Sequence, residues 1–340
     1  MTVRVGINGF GRIGRQFMRT AWQKASGWQV VHVNDLSGDA ACAAHLLQQD
    51  STHGRWSVPV ESQPGALQID GQRIVLSQVP EQARIPWAEQ GVELLLDATG
   101  QHKHVERLQP SLAHGVRTVV VSTPILDPAV LNVVMGVNEQ AYDPQRHRIV
   151  TAASCTTNSL APVVKVILEG LGIVRGSMTT IHCANNSQSV VDSYRSDWRR
   201  GRAASLSMIP TTTSAARAIG HIFPQLAGKI DGMAVRVPLL HASLTDMTFE
   251  VARATTEQEV NGLLQQAAEG TLSGILGFES RPLVSIDYSN DPRSAVIDAL
   301  STRVIDQTHV KILAWYDNET GYCNRLVELF NRIAARQGEG

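Results

Sequence analysis

The sequence predicts an α/β chain of two domains, a doubly wound parallel-sheet domain followed by an α+β domain with a largely antiparallel sheet. Three observations carry this. The chain opens with a short apolar strand, Val3-Arg4-Val5-Gly6-Ile7-Asn8, that runs into a glycine-rich turn and an amphipathic helix. Near-continuous apolar runs then alternate with helical stretches as far as about residue 150, the pattern of strands buried on both faces. Beyond Cys155 the strands instead alternate apolar and polar residues, as in a sheet with one face covered. A length of 340 residues suits two such cores.

The turn Gly9-Phe10-Gly11-Arg12-Ile13-Gly14 lies between strand and helix, where glycines let the backbone approach a pyrophosphate resting on the helix N-terminus. A second strand, Gln29 to Asn34, ends at Asp35, 21 residues past Gly14. An acid there accepts ribose hydroxyls and repels a 2′-phosphate, which predicts NAD over NADP. Between Asp50 and Gln90 four prolines break the pattern, and this region reads as hairpins and loops. Further strands are expected at Val92 to Thr99, Thr118 to Val121 and Asn132 to Met135. Ligands of such sheets bind at the carboxyl ends of the strands, which assigns Thr99, Gly100 and Ser122 to the cofactor crevice.

After the strand Arg148 to Thr151, the stretch Ser154-Cys155-Thr156-Thr157-Asn158 starts a helix with Pro162 in its early turns. A thiol at a helix N-terminus meets backbone N–H groups and the positive end of the dipole, which favour a thiolate and an oxyanion on an attached carbon. Later strands are expected at Arg175 to His182, Met233 to Val237, Leu244 to Val251 and Val310 to Trp315, with helices at Ala215 to Ile222 and Glu257 to Glu269. The closing helix carries Leu326, Val327, Phe330 and Ile333 on the face that would pack back on the first domain. The domains are thus 1–154, completed by 319–340, and 155–318, with the thiol at their boundary, where an active site between domains is expected.

His182 ends a strand 27 residues after Cys155 and is the first histidine able to reach it. A Cys–His pair supplies a nucleophile and a proton acceptor, and beside a nicotinamide it suggests aldehyde oxidation through a hemithioacetal. Cys183 should point to the opposite face of the strand and is read as structural. A formal net charge of −1 argues against a nucleic-acid or membrane-surface partner. No run is long enough to span a bilayer, and the N-terminus shows no signal-peptide plan. Four cysteines without metal-ligand spacing point to a reducing cytoplasm and no bound metal.

The fingerprint Ile7 to Gly14, the Ser154 to Asn158 box, Arg236-Val237-Pro238 and Trp315-Tyr316-Asp317-Asn318-Glu319 resemble the glyceraldehyde-3-phosphate dehydrogenase family over essentially the whole length. The resemblance implies a Rossmann-type NAD-binding domain and a catalytic domain. It implies that Cys155 attacks the aldehyde, that His182 takes the hemithioacetal proton, and that inorganic phosphate releases the thioester as an acyl phosphate. It assigns Asn318 to the nicotinamide carboxamide and Arg12, Ile13, Asp35 and Ser122 to the rest of the dinucleotide. Ser154, Thr156, Thr213, Arg200 and Arg236 match the two anion subsites, and a homotetramer is implied.

Several positions depart from the family pattern. Asn185 and Ser187 stand where a threonine and an aspartate are usual, and Ser214 where a glycine is; Ser159 replaces a second cysteine, and Thr320 a tryptophan. Asp192-Ser193-Tyr194, with Arg199-Arg200 and Arg202-Ala203-Ala204-Ser205, is similar to erythrose-4-phosphate dehydrogenase, which hydrolyses its thioester. Asn132 to Asn138, Val237 to Leu240, Arg281 to Ser285 and Asp298 to Thr302 look more like the branch associated with arsenate resistance, where arsenate stands in for phosphate. The expected partners are therefore a sugar phosphate and phosphate or arsenate. Alternatives are the tetrose enzyme and a weakly catalytic NAD-binding interaction protein.

Overall fold

The computed structural model describes residues 2–337. Met1 and the last three residues of the 319–340 segment lie outside them. The chain divides into two compact units, one running to Ala153 and resuming at Cys323, the other spanning Ser154–Tyr322. Among the described residues no helix is long and apolar enough to cross a membrane.

In the first unit β1 (Val3–Asn8) leads through the glycine turn to α1 (Arg12–Lys24), β2 (Trp28–Asn34) and α2 (Ala40–Gln48). A meander of β3 (Val60–Gln63), β4 (Ala66–Ile69) and β5 (Gln72–Ser77) follows, as the proline-broken region suggests. Then come β6 (Leu94–Asp97), α3 (Val105–Leu112), β7 (Thr118–Val121), β8 (Leu131–Asn132) and β9 (Ile149–Thr151). The strand order is β3-β4-β5-β2-β1-β6-β7-β9-β8, and only the β3–β4 and β4–β5 pairs are antiparallel. The winding reverses at β1, whose Asn8 is in register with Asn34 of β2 and Asp97 of β6. The loops that leave these three strands therefore open at one edge, the switch point of a doubly wound sheet.

Both faces of this sheet are covered. On one, Trp87, Leu95, Leu108 and Val119 share a buried cluster. On the other, Phe17 of α1 stacks on Trp28 at 5.6 Å, and Phe330 lies 4.9 Å from Phe17. Phe330 comes from α7 (Thr320–Gln337), whose residues from Cys323 onward belong to this unit.

Two strands are shorter than the sequence suggests, each because a polar side chain captures the backbone. The run expected at Asn132 to Met135 pairs only as far as Asn132. Asn138 accepts from Val134 N at 2.7 Å and donates to Asn132 O at 2.9 Å, which folds the chain into a turn. The run expected at Val92 to Thr99 is a strand only over Leu94–Asp97, where Asp97 Oδ1 accepts from Thr99 N and bends the exit.

The second unit begins with α4 (Cys155–Leu171) and the long strand β10 (Ile173–Cys183). It continues with β11 (Ile209–Thr212), α5 (Ala215–Ile222), β12 (Ile230–Val237), β13 (Ser243–Val251) and α6 (Glu257–Glu269). It closes with β14 (Leu276–Glu279), β15 (Ala295–Asp298), β16 (Arg303–Ile305) and β17 (His309–Tyr316). The order is β11-β12-β10-β13-β17-β15-β14, mostly antiparallel, with β10–β12 and β14–β15 parallel. Alternating burial along β13 and β17 matches the sequence pattern, one face lying under α4, α5 and α6.

Candidate active site

The open edge of the first unit is shaped by its glycines. Gly9 has φ +92°, and a Cβ there would lie 2.7 Å from Ala98 C and Thr99 N. A Cβ on Gly14 would lie 2.2 Å from Gly9 O, so β1 and α1 meet only through glycine. Gly11 is the opposite case, with no atom within 4 Å of where its Cβ would be. The loop is open there to an approaching phosphate. No side chain caps α1 and no acid occupies its first turn, whereas Asp39 caps α2 through Cys42 N. The N-terminal end of α1 is thus suited to an anion.

Asp35 follows β2, its Oδ2 accepting from Phe10 N at 2.5 Å and its Oδ1 from Ser37 N at 2.8 Å. Each oxygen keeps a lone pair for a ribose hydroxyl. A cleft of about 240 Å³ here is lined by Phe10, Gly11, Asp35, Ser37, Cys42 and Leu46. Sequence reading missed the α2 wall, because only tertiary packing brings Cys42 and Leu46 to the loop. Arg12 Nη1 is held by Asp50 Oδ2 at 2.5 Å. Burial opposes the Asp50 charge, but the His53 and Thr52 N–H groups and Arg12 outweigh it and hold the carboxyl at about 2. Ile13 begins α1 beside Arg12, and its carbonyl accepts from Cys323 Sγ at 3.7 Å. Thr99 Oγ1 donates to Asp97 Oδ1 at 2.8 Å, Gly100 has φ +69°, and Ser122 N donates to Asp97 O. The donors and the glycine geometry fit a dinucleotide.

In the second unit Ser154 caps α4, its Oγ accepting from Thr157 N at 3.1 Å, and Cys155 is the first helical residue. Cys155 Sγ lies 3.6 Å from His182 Nε2. The parallel ladder of β10 and β12 pairs His182 with Arg236, which brings the guanidinium beside the imidazole, Nη1 2.5 Å from Nδ1. Nδ1 also lies 2.8 Å from Cys183 O. A guanidinium only donates, so when it holds Nδ1 the ring proton sits on Nε2. When Nδ1 donates to Cys183 O, the Nε2 lone pair faces the thiol.

Burial pushes the Cys155 thiol above its ordinary range, against the pull of Arg236 and Thr156. Burial and the Arg236 charge push His182 down to about 3. Burial thus works against the helix end at this thiol, while it favours the neutral imidazole of His182. Arg236 Nε is buried without a hydrogen-bond partner, a donor suited to an anion.

Tyr316, which the sequence marks only as part of the Trp315 to Glu319 motif, stands beside the Cys155–His182 pair. Its hydroxyl lies 3.0 Å from Thr156 Oγ1 and 2.8 Å from Thr180 Oγ1, and its ring meets His182 edge-on. Cys183 also differs from expectation. Its thiol lies 3.6 Å from His182 Nδ1 and 3.1 Å from Asn318 Oδ1. The β10–β13 ladder ends at Ile181, and Cys183 N donates to Ser243 Oγ instead of a strand carbonyl, so strict alternation fails at the strand end.

Arg200 is near enough for its charge to act on Arg236. Arg200 Nε donates to Thr211 Oγ1 at 2.8 Å and lies 3.3 Å from Asp197 Oδ2. Thr213 and Ser214 lead into α5, Thr213 Oγ1 accepting from Ala215 N. Asn185 is turned into its own loop, where Oδ1 accepts from Ser187 N at 2.9 Å. A larger cleft of about 570 Å³, lined in part by Arg175 and Ser177, lies at the opposite end of β10 from His182.

Comparison with known proteins agrees with this geometry. Residues 3–105 match the model of the glyceraldehyde 3-phosphate dehydrogenase NAD binding domain, and 154–318 that of the glyceraldehyde 3-phosphate dehydrogenase C-terminal domain. Glyceraldehyde-3-phosphate dehydrogenase 3 of Nostoc sp. strain PCC 7120 is 55% identical over 338 residues, covering 98% of this chain and 99% of that one. The Geobacillus stearothermophilus glyceraldehyde-3-phosphate dehydrogenase is 46% identical over 336 residues, covering 99% of both. The Pseudomonas aeruginosa enzyme of that name is also 46% identical, over 98% of this chain and 99% of its own. The chain belongs to the glyceraldehyde-3-phosphate dehydrogenase family and is an NAD-dependent enzyme.

Proposed function

We propose that the protein oxidises glyceraldehyde 3-phosphate to 1,3-bisphosphoglycerate through a Cys155 thioester. The observation that carries this reading is the thiol at the start of α4, 3.6 Å from His182 Nε2 and under the charge of Arg236. Cys155 Sγ adds to the aldehyde carbon while the thiol proton passes to the carbonyl oxygen, which becomes a hydroxyl. His182 Nε2 takes the hydroxyl proton as the carbon is oxidised, leaving a thioester. Bound NAD supplies the hydride acceptor. A phosphate oxygen then attacks the thioester carbon and the sulfur leaves as the acyl phosphate forms. Ser154, Thr156, Asn185, Arg200, Thr213, Ser214 and Arg236 receive the two anionic groups that flank the thiol.

The glycine loop, Arg12, Ile13, Asp35, Thr99, Gly100 and Ser122 hold the dinucleotide, and Asn318 takes the nicotinamide carboxamide. Arsenate, near-isosteric with phosphate, serves as an alternative acceptor. The enzyme is cytoplasmic and homotetrameric in this reading, which the exposed Tyr194, Trp198, Leu206 and Met208 support as interface residues.

The test is NADH formation with glyceraldehyde 3-phosphate and with erythrose 4-phosphate, each without oxyanion, with phosphate and with arsenate. Dependence on an oxyanion with the triose supports the proposal. Oxyanion-independent oxidation of the tetrose transfers it to the hydrolytic enzyme, a reading motivated by the altered residues Asn185 and Ser187. No turnover favours an interaction protein.

A further inference from the structure

Cys183 is buried to 1% and Ser243 completely, and both converge on one oxygen of Asn318. Cys183 Sγ donates to Asn318 Oδ1 at 3.1 Å, and Ser243 Oγ donates to the same atom at 3.3 Å. Ser243 Oγ itself accepts from Cys183 N at 3.2 Å, so its hydroxyl hydrogen is directed away from that contact. A side-chain amide has two ends of similar shape, and its neighbours decide which end faces which way. Here an inverted Asn318 would turn its NH₂ toward a thiol, a poor acceptor, and toward a serine oxygen already engaged.

We propose that Cys183 and Ser243 are positioning residues that lock the Asn318 amide, so that Nδ2 is the end presented to the cofactor. The inference rests on the assignment of Asn318 to the nicotinamide carboxamide and adds the direction of that bond: Asn318 donates and the ligand carbonyl accepts. Burial pushes the Cys183 thiol up to about 12, which keeps the S–H in place as a donor at any working pH. Cys183 is not a second nucleophile. Cys155 faces Nε2 of His182 and Cys183 faces Nδ1, so the imidazole stands between the two sulfurs.

The test compares Cys183→Ala, Cys183→Ser and Asn318→Ala in the full-length enzyme. The readouts are KM for NAD, KM for the aldehyde, and the rate of Cys155 alkylation by iodoacetamide. Cys183→Ala should raise KM for NAD about threefold to tenfold, the worth of one hydrogen bond, without changing aldehyde KM or the alkylation rate. Cys183→Ser should stay within about twofold of the parent, because its hydroxyl donates to the same oxygen. With the thionicotinamide analogue, a weaker acceptor, the parent should discriminate and Cys183→Ala should discriminate less. An unchanged KM in Cys183→Ala, or equal impairment in both Cys183 variants, would overturn the inference while leaving the catalytic reading intact. If Asn318→Ala leaves KM for NAD unchanged, the Asn318 assignment itself fails.

Discussion

Two helix N-termini in this chain have opposite designs. Helix α1 starts from Gly11 with no side-chain cap and no acid in its first turn. Helix α4 starts from Ser154, whose hydroxyl satisfies Thr157 N, and places Cys155 in the first turn. The first leaves its field for a ligand that brings its own negative charge. The second is closed by its own hydroxyl and carries a thiol in its first turn. In the proposed function the same backbone physics serves binding in one unit and covalent chemistry in the other.

The largest effect should come from the covalent end. Cys155→Ser should lower oxidative turnover on the order of a thousandfold or more, since a hydroxyl is a far weaker nucleophile. NAD affinity, read by fluorescence quenching, should be unchanged; residual turnover near the parent rate would mean that α4 is not the catalytic end. His182→Asn should cost roughly a hundredfold to ten-thousandfold in the oxidative step, the usual worth of a positioned proton acceptor.

At the binding end, Asp35→Ser should relax the preference for NAD over NADP by about tenfold, because a carboxylate no longer opposes a 2′-phosphate. The ratio of kcat/KM for the two cofactors measures this. An unchanged ratio would place the ribose elsewhere than Asp35.

How legible these ends were differs for a physical reason. Glycine spacing and the strand-to-helix change of period mark α1 and α4 directly, because they are local. Tyr316, 160 residues from its partner Thr156, has no local signal and needs the sheet order to bring it in. The pairing of Arg236 with His182 likewise depends on β12 lying parallel beside β10. Asn132 to Met135 reads as a strand because its residues are apolar, yet one asparagine side chain ends it. At Cys155 the helix end is visible in the sequence, whereas the burial that opposes the thiolate is not.

Desolvation also predicts two pH responses of smaller size. His182 is neutral down to about 3, so Cys155 alkylation should show no inflection near 6.5 and should rise steadily into the alkaline range as the thiol ionises. An inflection near 6.5 would mean that the imidazole is not held neutral. His32, held at about 4 by burial, and His182 both bind protons less readily folded than unfolded. The stability tied to their neutral forms is complete above pH 6.5 and falls as pH drops toward the folded values. Each group costs up to about 1.4 kcal/mol per pH unit in that window. Urea midpoints at pH 7.5, 6 and 5 should decline accordingly, and His32→Leu should flatten the decline.

The proposed chemistry requires Cys155 to carry the acyl group until an oxyanion removes it. Mass spectrometry of the enzyme quenched after mixing with NAD and glyceraldehyde 3-phosphate, without phosphate or arsenate, tests it directly. A phosphoglyceroyl adduct is expected on the peptide containing Cys155 and should disappear when phosphate is added. NADH formation with no adduct at Cys155, or an adduct that phosphate does not discharge, would contradict it.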